Sequence, residues 1–238
     1  MERSGAGSEQ IEGVRAAIEA IRAARRPVLE VWLPSEDRSP GLRALRELAE
    51  SHGIPVREGR EVRARAAPFP EESFEDLLTR EPASFLVALD RVTDVGNLGA
   101  IARSAECAGV RGLVLEHRHA PPIGAGALRA SAGALEHLRV GRTPNLRSAL
   151  RLARQEGYTV AAGTPDGVPI PELPPGALCG NLIWVFGSED RGLRSGVLEV
   201  SDLRVAIPLH GRVESLGVAA AAAVLLHRTA EERATPGT

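Results

Sequence analysis

The chain has 238 residues, 43% hydrophobic and 25% charged, with 29 Lys and Arg against 31 Asp and Glu and a net charge of −2. This is enough for one large or two small domains of ordinary globular composition, and it excludes a fibrous, disordered or membrane-embedded class. The near-neutral charge excludes a uniformly basic nucleic-acid binder but leaves room for a local basic patch.

Residues 1–8 are small and polar, an expected disordered start. Apolar residues at Ile11, Val14, Ile18 and Ile21 follow a helical period and predict a helix over 11–24. A short strand is expected over 28–33, ended by Pro34 and Ser35. A second amphipathic helix over 40–53 carries Leu42, Leu45 and Leu48 and stops at Gly53. Residues 54–57 read as a strand and 58–65 as a charged stretch, so the order α-β-α-β predicts a small α/β domain. The run 66–70 (AAPFP) breaks the pattern, and 71–81 reads as an acidic, weakly helical connector, which puts a domain boundary between Pro68 and Pro82.

From Ala83 the alternation becomes regular. Strands are expected over 85–89, 112–115, 138–141, 158–162, 182–186 and 203–207. Helices are expected over 97–108 with Asn97 as N-cap, around 131–135, over 146–156, and in an Ala-rich stretch that closes the chain. A turn-rich loop fills 165–175. Such alternation predicts a mostly parallel sheet with helices on both faces.

The last two strand-like runs end in loops with the same chemistry: a carboxylate (Glu189, Glu214), a hydroxyl (Ser188, Ser215) and glycines (Gly187, Gly192, Gly211, Gly217). A third Gly loop, DVGNLGAIAR over 94–103, lies between a strand and a helix. Loops of this kind build a ligand crevice at the carboxyl edge of a parallel sheet, and their backbone N–H groups suit an anion at a helix start. Each loop alone reads as a tight turn. His117, Arg118 and His119 lack a third ligand at metal-site spacing and read as an exposed loop.

Every basic residue other than histidine is arginine. Arginine suits bidentate phosphate contacts, although the accompanying Ala and Gly richness makes genome base composition the simpler cause. Cys107 and Cys179 have no CxxC spacing, which fits a reducing compartment. The Glu- and Arg-rich start shows no apolar leader. The longest apolar run, over 216–226, falls short of the roughly 20 residues that a spanning helix takes. A cytoplasmic protein is expected.

Taken together, these motifs resemble the SpoU/TrmH family of SPOUT methyltransferases. The first motif is similar to Asp90-Arg91-Val92-Thr93-Asp94 with Asn97-Leu98-Gly99-Ala100 and Arg103-Ser104-Ala105. The second is similar to Phe186-Gly187-Ser188-Glu189 with Gly192-Leu193, and the third to Ile207-Pro208-Leu209 with Val213-Glu214-Ser215-Leu216. The stretch Arg129 to Glu136 (RASAGALE) resembles the mid-domain signature of the family's ribosomal-RNA branch. The first 65 residues resemble the ribosomal-protein-L30e-type RNA-binding domain that precedes the catalytic domain in that branch.

The resemblance implies an L30e-like domain over 1–67, a linker over 68–83 and a trefoil-knotted SPOUT α/β domain over 84–238. It implies S-adenosylmethionine as cofactor, held by Gly187, Ile207 and Leu216, with Thr164 as a further contact. It implies methyl transfer to a ribose 2′-hydroxyl of RNA, ribosomal RNA first, by a homodimer in which Arg103 reaches a shared site. Arg103, Glu189, Ser215 and Asn97 form the implied catalytic set. A guanidinium with a pKa above about 12 is a poor base. Arg103 is therefore expected to orient the ribose or phosphate and stabilise the developing oxyanion, with Glu189 positioning it and Ser215 hydrogen-bonding in the same pocket.

One departure bears on activity. Where the family's third motif reads Ser-Leu-Asn, this chain has Gly217, which removes a side-chain donor and acceptor. Val95 stands in place of the first motif's Pro, and Arg129 in place of the signature Lys. Two alternatives stay open: a tRNA ribose 2′-O-methyltransferase, and a catalytically impaired RNA-binding or ribosome-assembly paralogue.

Overall fold

The computed structural model describes residues 7–35, 39–78, 83–212 and 215–234. The first elements are β1 (Glu9–Glu12), α1 (Val14–Ala23), β2 (Val28–Leu33), α2 (Pro40–Ser51), β3 (Val56–Glu58) and β4 (Arg63–Ala66). Next come β5 (Glu71–Ser73), α3 (Phe74–Leu77), β6 (Phe85–Asp90), α4 (Val95–Cys107), β7 (Gly112–Glu116), α5 (Ala125–Ala130) and a 3-10 turn (Ala134–His137). The remainder is β8 (Arg139–Thr143), α6 (Leu146–Gln155), β9 (Thr159–Pro169), a 3-10 turn (Ile170–Glu172), β10 (Leu182–Gly187), α7 (Ser195–Leu198), β11 (Leu203–Ala206) and α8 (Val218–Ala234). Two compact units result: Met1–Pro70 with Pro122–His137, and Glu71–Pro121 with Leu138–Thr238.

The first unit holds a four-stranded sheet in the order β1-β4-β2-β3. Strand β4 runs antiparallel to β1 and β2, and β3 is parallel to β2. The helix expected from Ile11 starts later. Ile11 pairs with Ala64 in the sheet, and Gly13 at φ 92° turns the chain from strand into helix. Ile11 has the right spacing for either element, and only the pairing with β4 decides. In sequence that partner strand reads as merely charged. In its sequence RARA, Ala64 and Ala66 are buried and the arginines are outside, a period of two that alanine's small side chain makes faint. Glu30 accepts from Arg57 Nε at 2.6 Å and Arg65 Nε at 2.8 Å. Burial works against its charge, but these bonds prevail and hold its carboxyl below the usual range.

Residues 122–137, expected in the second domain, pack within the first unit. Glu136, 1% exposed, receives Arg26 Nη2 at 2.6 Å and Nε at 3.2 Å. Arg26 also donates to Glu9 and to the Ala67 carbonyl, both at 2.8 Å. Arg129 pairs with Glu12 at 2.6 Å and His137 with Glu19 at 2.8 Å.

The second unit holds a seven-stranded sheet in the order β11-β9-β10-β6-β7-β8-β5, parallel throughout. Strands β6, β7 and β10 are buried on both faces, as their unbroken apolar runs require. On one face Ile183 and Val185 join Leu146, Leu150, Ala153, Val197 and Val200. On the other, Trp184 stacks on Phe186 at 5.8 Å and donates its ring N–H to Thr229 of α8 at 3.0 Å. The stretch from Glu71 is not a connector. Strand β5 joins the sheet beside β8, and Phe74 and Leu77 of α3 are fully buried beneath it. Residues 1–6 and 79–82, expected as disordered start and linker, lie outside the described residues. Strand β9 continues through Pro165 to Pro169, where a turn-rich loop was expected. Its far half pairs with β11, and residues 163–167 form an excursion between the two paired halves. Among the described residues, no helix is long and apolar enough to cross a membrane.

Candidate active site

The chain builds β6, β7 and β8 outward in one direction and then crosses to the other side of β6, where β9, β10 and β11 lie. The order reverses between β6 and β10. Crevices for ligands open at such a switch point, beyond the carboxyl ends of the strands. Four neighbouring strands deliver candidate residues to that edge: Ile207 just past β11, Thr164 on β9, Gly187 at the end of β10, and Asp90 at the end of β6. Gly187 and Asp90 are register partners.

At Gly187 the chain folds back sharply. Gly192 N–H donates to the Ser188 carbonyl at 2.9 Å, closing the turn. A Cβ on residue 187 would stand 2.5 Å from Leu193 N and nearer still to the Gly192 carbonyl group, so only glycine admits this loop. Glu189 is exposed at its tip. Its Oε1 lies 3.1 Å from where a Cβ of residue 217 would be, so the loops after β10 and β11 meet at Glu189 and Gly217. Gly217 caps α8, its carbonyl accepting from Ala221 N–H at 3.0 Å. Ser215 and Leu216 precede it, both exposed; Val213 and Glu214 lie outside the described residues.

The third contributor is α4, which packs on α8. Asn97 is not its N-cap. The helix begins earlier, and Asp94 caps it by accepting the Asn97 N–H at 2.7 Å. An anionic oxygen suits the positive helix end better than a neutral amide. Asn97 therefore sits half-buried in the first turn. Arg103 is exposed farther along, and among the described residues it has no ion-pair or hydrogen-bond partner. At about 100° per residue, Asn97 and Arg103 point roughly 120° apart around the helix. Glu189 is not within ion-pair distance of Arg103.

Thr164 donates to Asp166 within the excursion of β9. That bond first, then a main-chain donor, holds the Asp166 carboxyl below its usual range against burial, with Arg204 adding a still smaller help. Sequence reasoning missed a cluster behind these loops. Asp90, fully buried, accepts from Arg194 twice: from the main-chain N–H at 2.9 Å and from Nε at 2.6 Å. Arg194 Nη2 also pairs with Glu116 Oε2 at 2.9 Å, outside hydrogen-bond geometry. Burial disfavours the charge on Arg194, but both carboxylates outweigh it and raise the guanidinium's affinity for its proton. The available signal was an acid at the very end of two apolar runs, Asp90 and Glu116, where burial demands a cation.

This edge offers a ligand both apolar side chains and main-chain polar groups. Val168, Leu209 and Leu216 expose 42–47% of their surface there, unusual for large apolar side chains. Beyond Ala206 the chain leaves the strand ladder, so its main-chain groups are available to a bound molecule.

A model of the SpoU rRNA methylase family matches residues 84–227. The 23S rRNA (guanosine-2'-O-)-methyltransferase RlmB of Pseudomonas aeruginosa is 32% identical over 244 residues, covering 94% of this chain and 97% of that protein. An uncharacterized tRNA/rRNA methyltransferase of Archaeoglobus fulgidus is 33% identical over 203 residues, covering 84% and 89%. Among solved structures, the SpoU methyltransferase AviRb of Streptomyces viridochromogenes, in complex with AdoMet, superposes with a TM-score of 0.78 at 23% identity, covering 97% of this chain and 92% of that one.

Proposed function

The chain belongs to the SpoU rRNA methylase family, and we propose that it transfers a methyl group from S-adenosylmethionine to a ribose 2′-hydroxyl of ribosomal RNA. The observation that carries this reading is the 32% identity to a 23S rRNA guanosine 2′-O-methyltransferase along 94% of the chain, which takes in the first unit as well as the sheet.

When bound, S-adenosylmethionine supplies a methyl on a sulfonium, an electrophile already activated. The protein's task is then to align the 2′-oxygen and let its proton leave to solvent water. Gly187, Ile207 and Leu216 hold the cofactor, largely through main-chain groups, and Thr164 adds a hydroxyl. Arg103 binds the ribose or its phosphate and stabilises negative charge as it develops on the 2′-oxygen. Its freedom from a competing carboxylate supports that role. Glu189 and Ser215, on the two loops that meet, orient the reacting groups, and Asn97, in the first turn of α4, completes the polar set. The first unit supplies RNA affinity. Two copies complete the site, the sheet is threaded as a trefoil knot, and the protein works in the cytoplasm.

Calorimetric titration with S-adenosylmethionine, followed by transfer of labelled methyl to ribosomal and transfer RNA, tests this. Micromolar cofactor binding and label in ribosomal RNA are expected. Label only in tRNA would reassign the substrate. No cofactor binding by the folded chain would make it an RNA-binding relative without methyl transfer.

A further inference from the structure

The structure assigns a positioning role in methyl transfer to Asp90 and Arg194, with Glu116 as their support: together they clamp the Gly187–Leu193 loop in its working shape. This rests on the proposed function. The loop carries Glu189 and Gly187, yet its tip is exposed and its internal tie is the Gly192 to Ser188 bond. Both of its ends meet a single residue. The entry, Gly187, is the sheet-register partner of Asp90. The exit, Arg194, is held by the Asp90 carboxylate through its main-chain N–H at 2.9 Å and its Nε at 2.6 Å. Asp90 also begins the segment that leads through Arg91, at φ 59°, into α4 with Asn97 and Arg103. One buried carboxylate thus ties the loop after β10 to the segment after β6.

The charge count points the same way. Two carboxylates, Asp90 fully buried and Glu116 5% exposed, face one guanidinium. Glu116 Oε1 is engaged by Leu146 N–H at 3.2 Å, which fixes the glutamate and leaves Oε2 for Arg194. The outer tie is an Arg142 Nη1 bond to the Glu116 carbonyl at 3.1 Å. Rigidity alone would be served as well by apolar side chains of similar volume, since buried ion pairs are often no more stable than these. A carboxylate that accepts both the main-chain N–H and the Nε–H of one arginine fixes direction and distance, which apolar packing does not.

The test uses the full chain with Arg194→Lys, which keeps the charge and loses the Nε–H donor, and Asp90→Asn, which keeps the shape and loses the charge. Amide hydrogen exchange of residues 187–193, cofactor affinity and transfer rate are measured in each. Loop amides should exchange about tenfold faster while those of β6 and β10 are unchanged. The cofactor Kd should rise about tenfold and kcat fall about 10- to 100-fold, with KM for RNA unaltered. The double variant should be no worse than the poorer single one, because both changes break one linkage. Folded variants with lowered melting temperature but wild-type loop exchange, Kd and kcat would overturn the clamp. Faster loop exchange in a chain whose unaltered form binds no cofactor would leave the clamp standing and remove the proposed function instead.

Discussion

Among single residues, Arg103 and Gly217 are where the proposed chemistry is most directly tested. Arg103 is exposed on α4 and has no partner among the described residues, so its removal should cost little stability. Arg103→Ala is expected to lower methyl transfer by about 10²- to 10³-fold with cofactor affinity nearly unchanged; a matching loss of calorimetric cofactor binding would contradict its role at the ribose. Gly217 sits where a side chain would face Glu189, with a Cβ 3.1 Å from Oε1. Glu189 is exposed and free to shift by a few tenths of an ångström. In Gly217→Asn the new amide donates to that carboxylate and also caps α8, which changes stability by only a few tenths of a kcal/mol. Holding the Glu189 carboxylate in one orientation should improve alignment and raise the transfer rate by about threefold to tenfold, and an unchanged kcat would remove position 217 from the site. The departure from the motif at 217 is legible from spacing. The neighbour of Gly217 is not, because Glu189 and Gly217 come from different loops that only the folded chain brings together.

At the scale of elements, the informative pieces are those whose local signal misled. Residues 71–77 look acidic and weakly helical, yet β5 adds a strand beside β8, held by Arg139 Nε to Glu72 at 2.8 Å and Arg142 Nη2 to Glu71 at 2.6 Å. Phe74 lies beneath with no exposure. Phe74→Ala should cost about 3–5 kcal/mol in urea unfolding; a loss below about 1 kcal/mol would restore the stretch to a linker. The three-residue β5 carries too few alternating positions to announce a strand. Its two glutamates are visible as strand residues only once their arginine partners on β8 are in place. Strand β9 misled in the opposite sense. Its prolines and glycines read as turns, but Gly167 packs its main chain against Arg204 and Val205, which admits the strand there. By contrast β6, β7 and β10 are fully buried apolar runs and appear where expected.

For the molecule as a whole, the segment 122–137 matters most. The chain leaves the parallel sheet after β7, contributes α5 and the 3-10 turn to the first unit, and returns as β8. Leu128, Leu135 and Glu136 are buried within that unit. A chain lacking residues 1–70 should therefore leave an apolar segment and an unpaired Glu136 uncovered, and removing one partner of a buried pair costs about 3–5 kcal/mol. Such a truncation is expected to aggregate and bind a hydrophobic dye. A monodisperse fragment with unchanged melting would show that the segment folds without its partners. The RASAGALE signature is thus, in this structure, chiefly packing: Arg129 and Glu136 meet Glu12 and Arg26 of the first unit.

The sequence by itself determined the second unit's class, the parallel order implied by alternating strands and helices, and the two Gly-punctuated loops that carry Glu189 and Ser215. Those features are written in local periodicity and in residues with special backbone freedom, which need no partner to be recognised. Only the tertiary structure decided that Ile11 pairs rather than coils, that 122–137 belongs with the first unit, and that Asp90, Arg194 and Glu116 share one charge cluster. Each of these depends on a partner far along the chain, and no window of neighbouring residues contains that information.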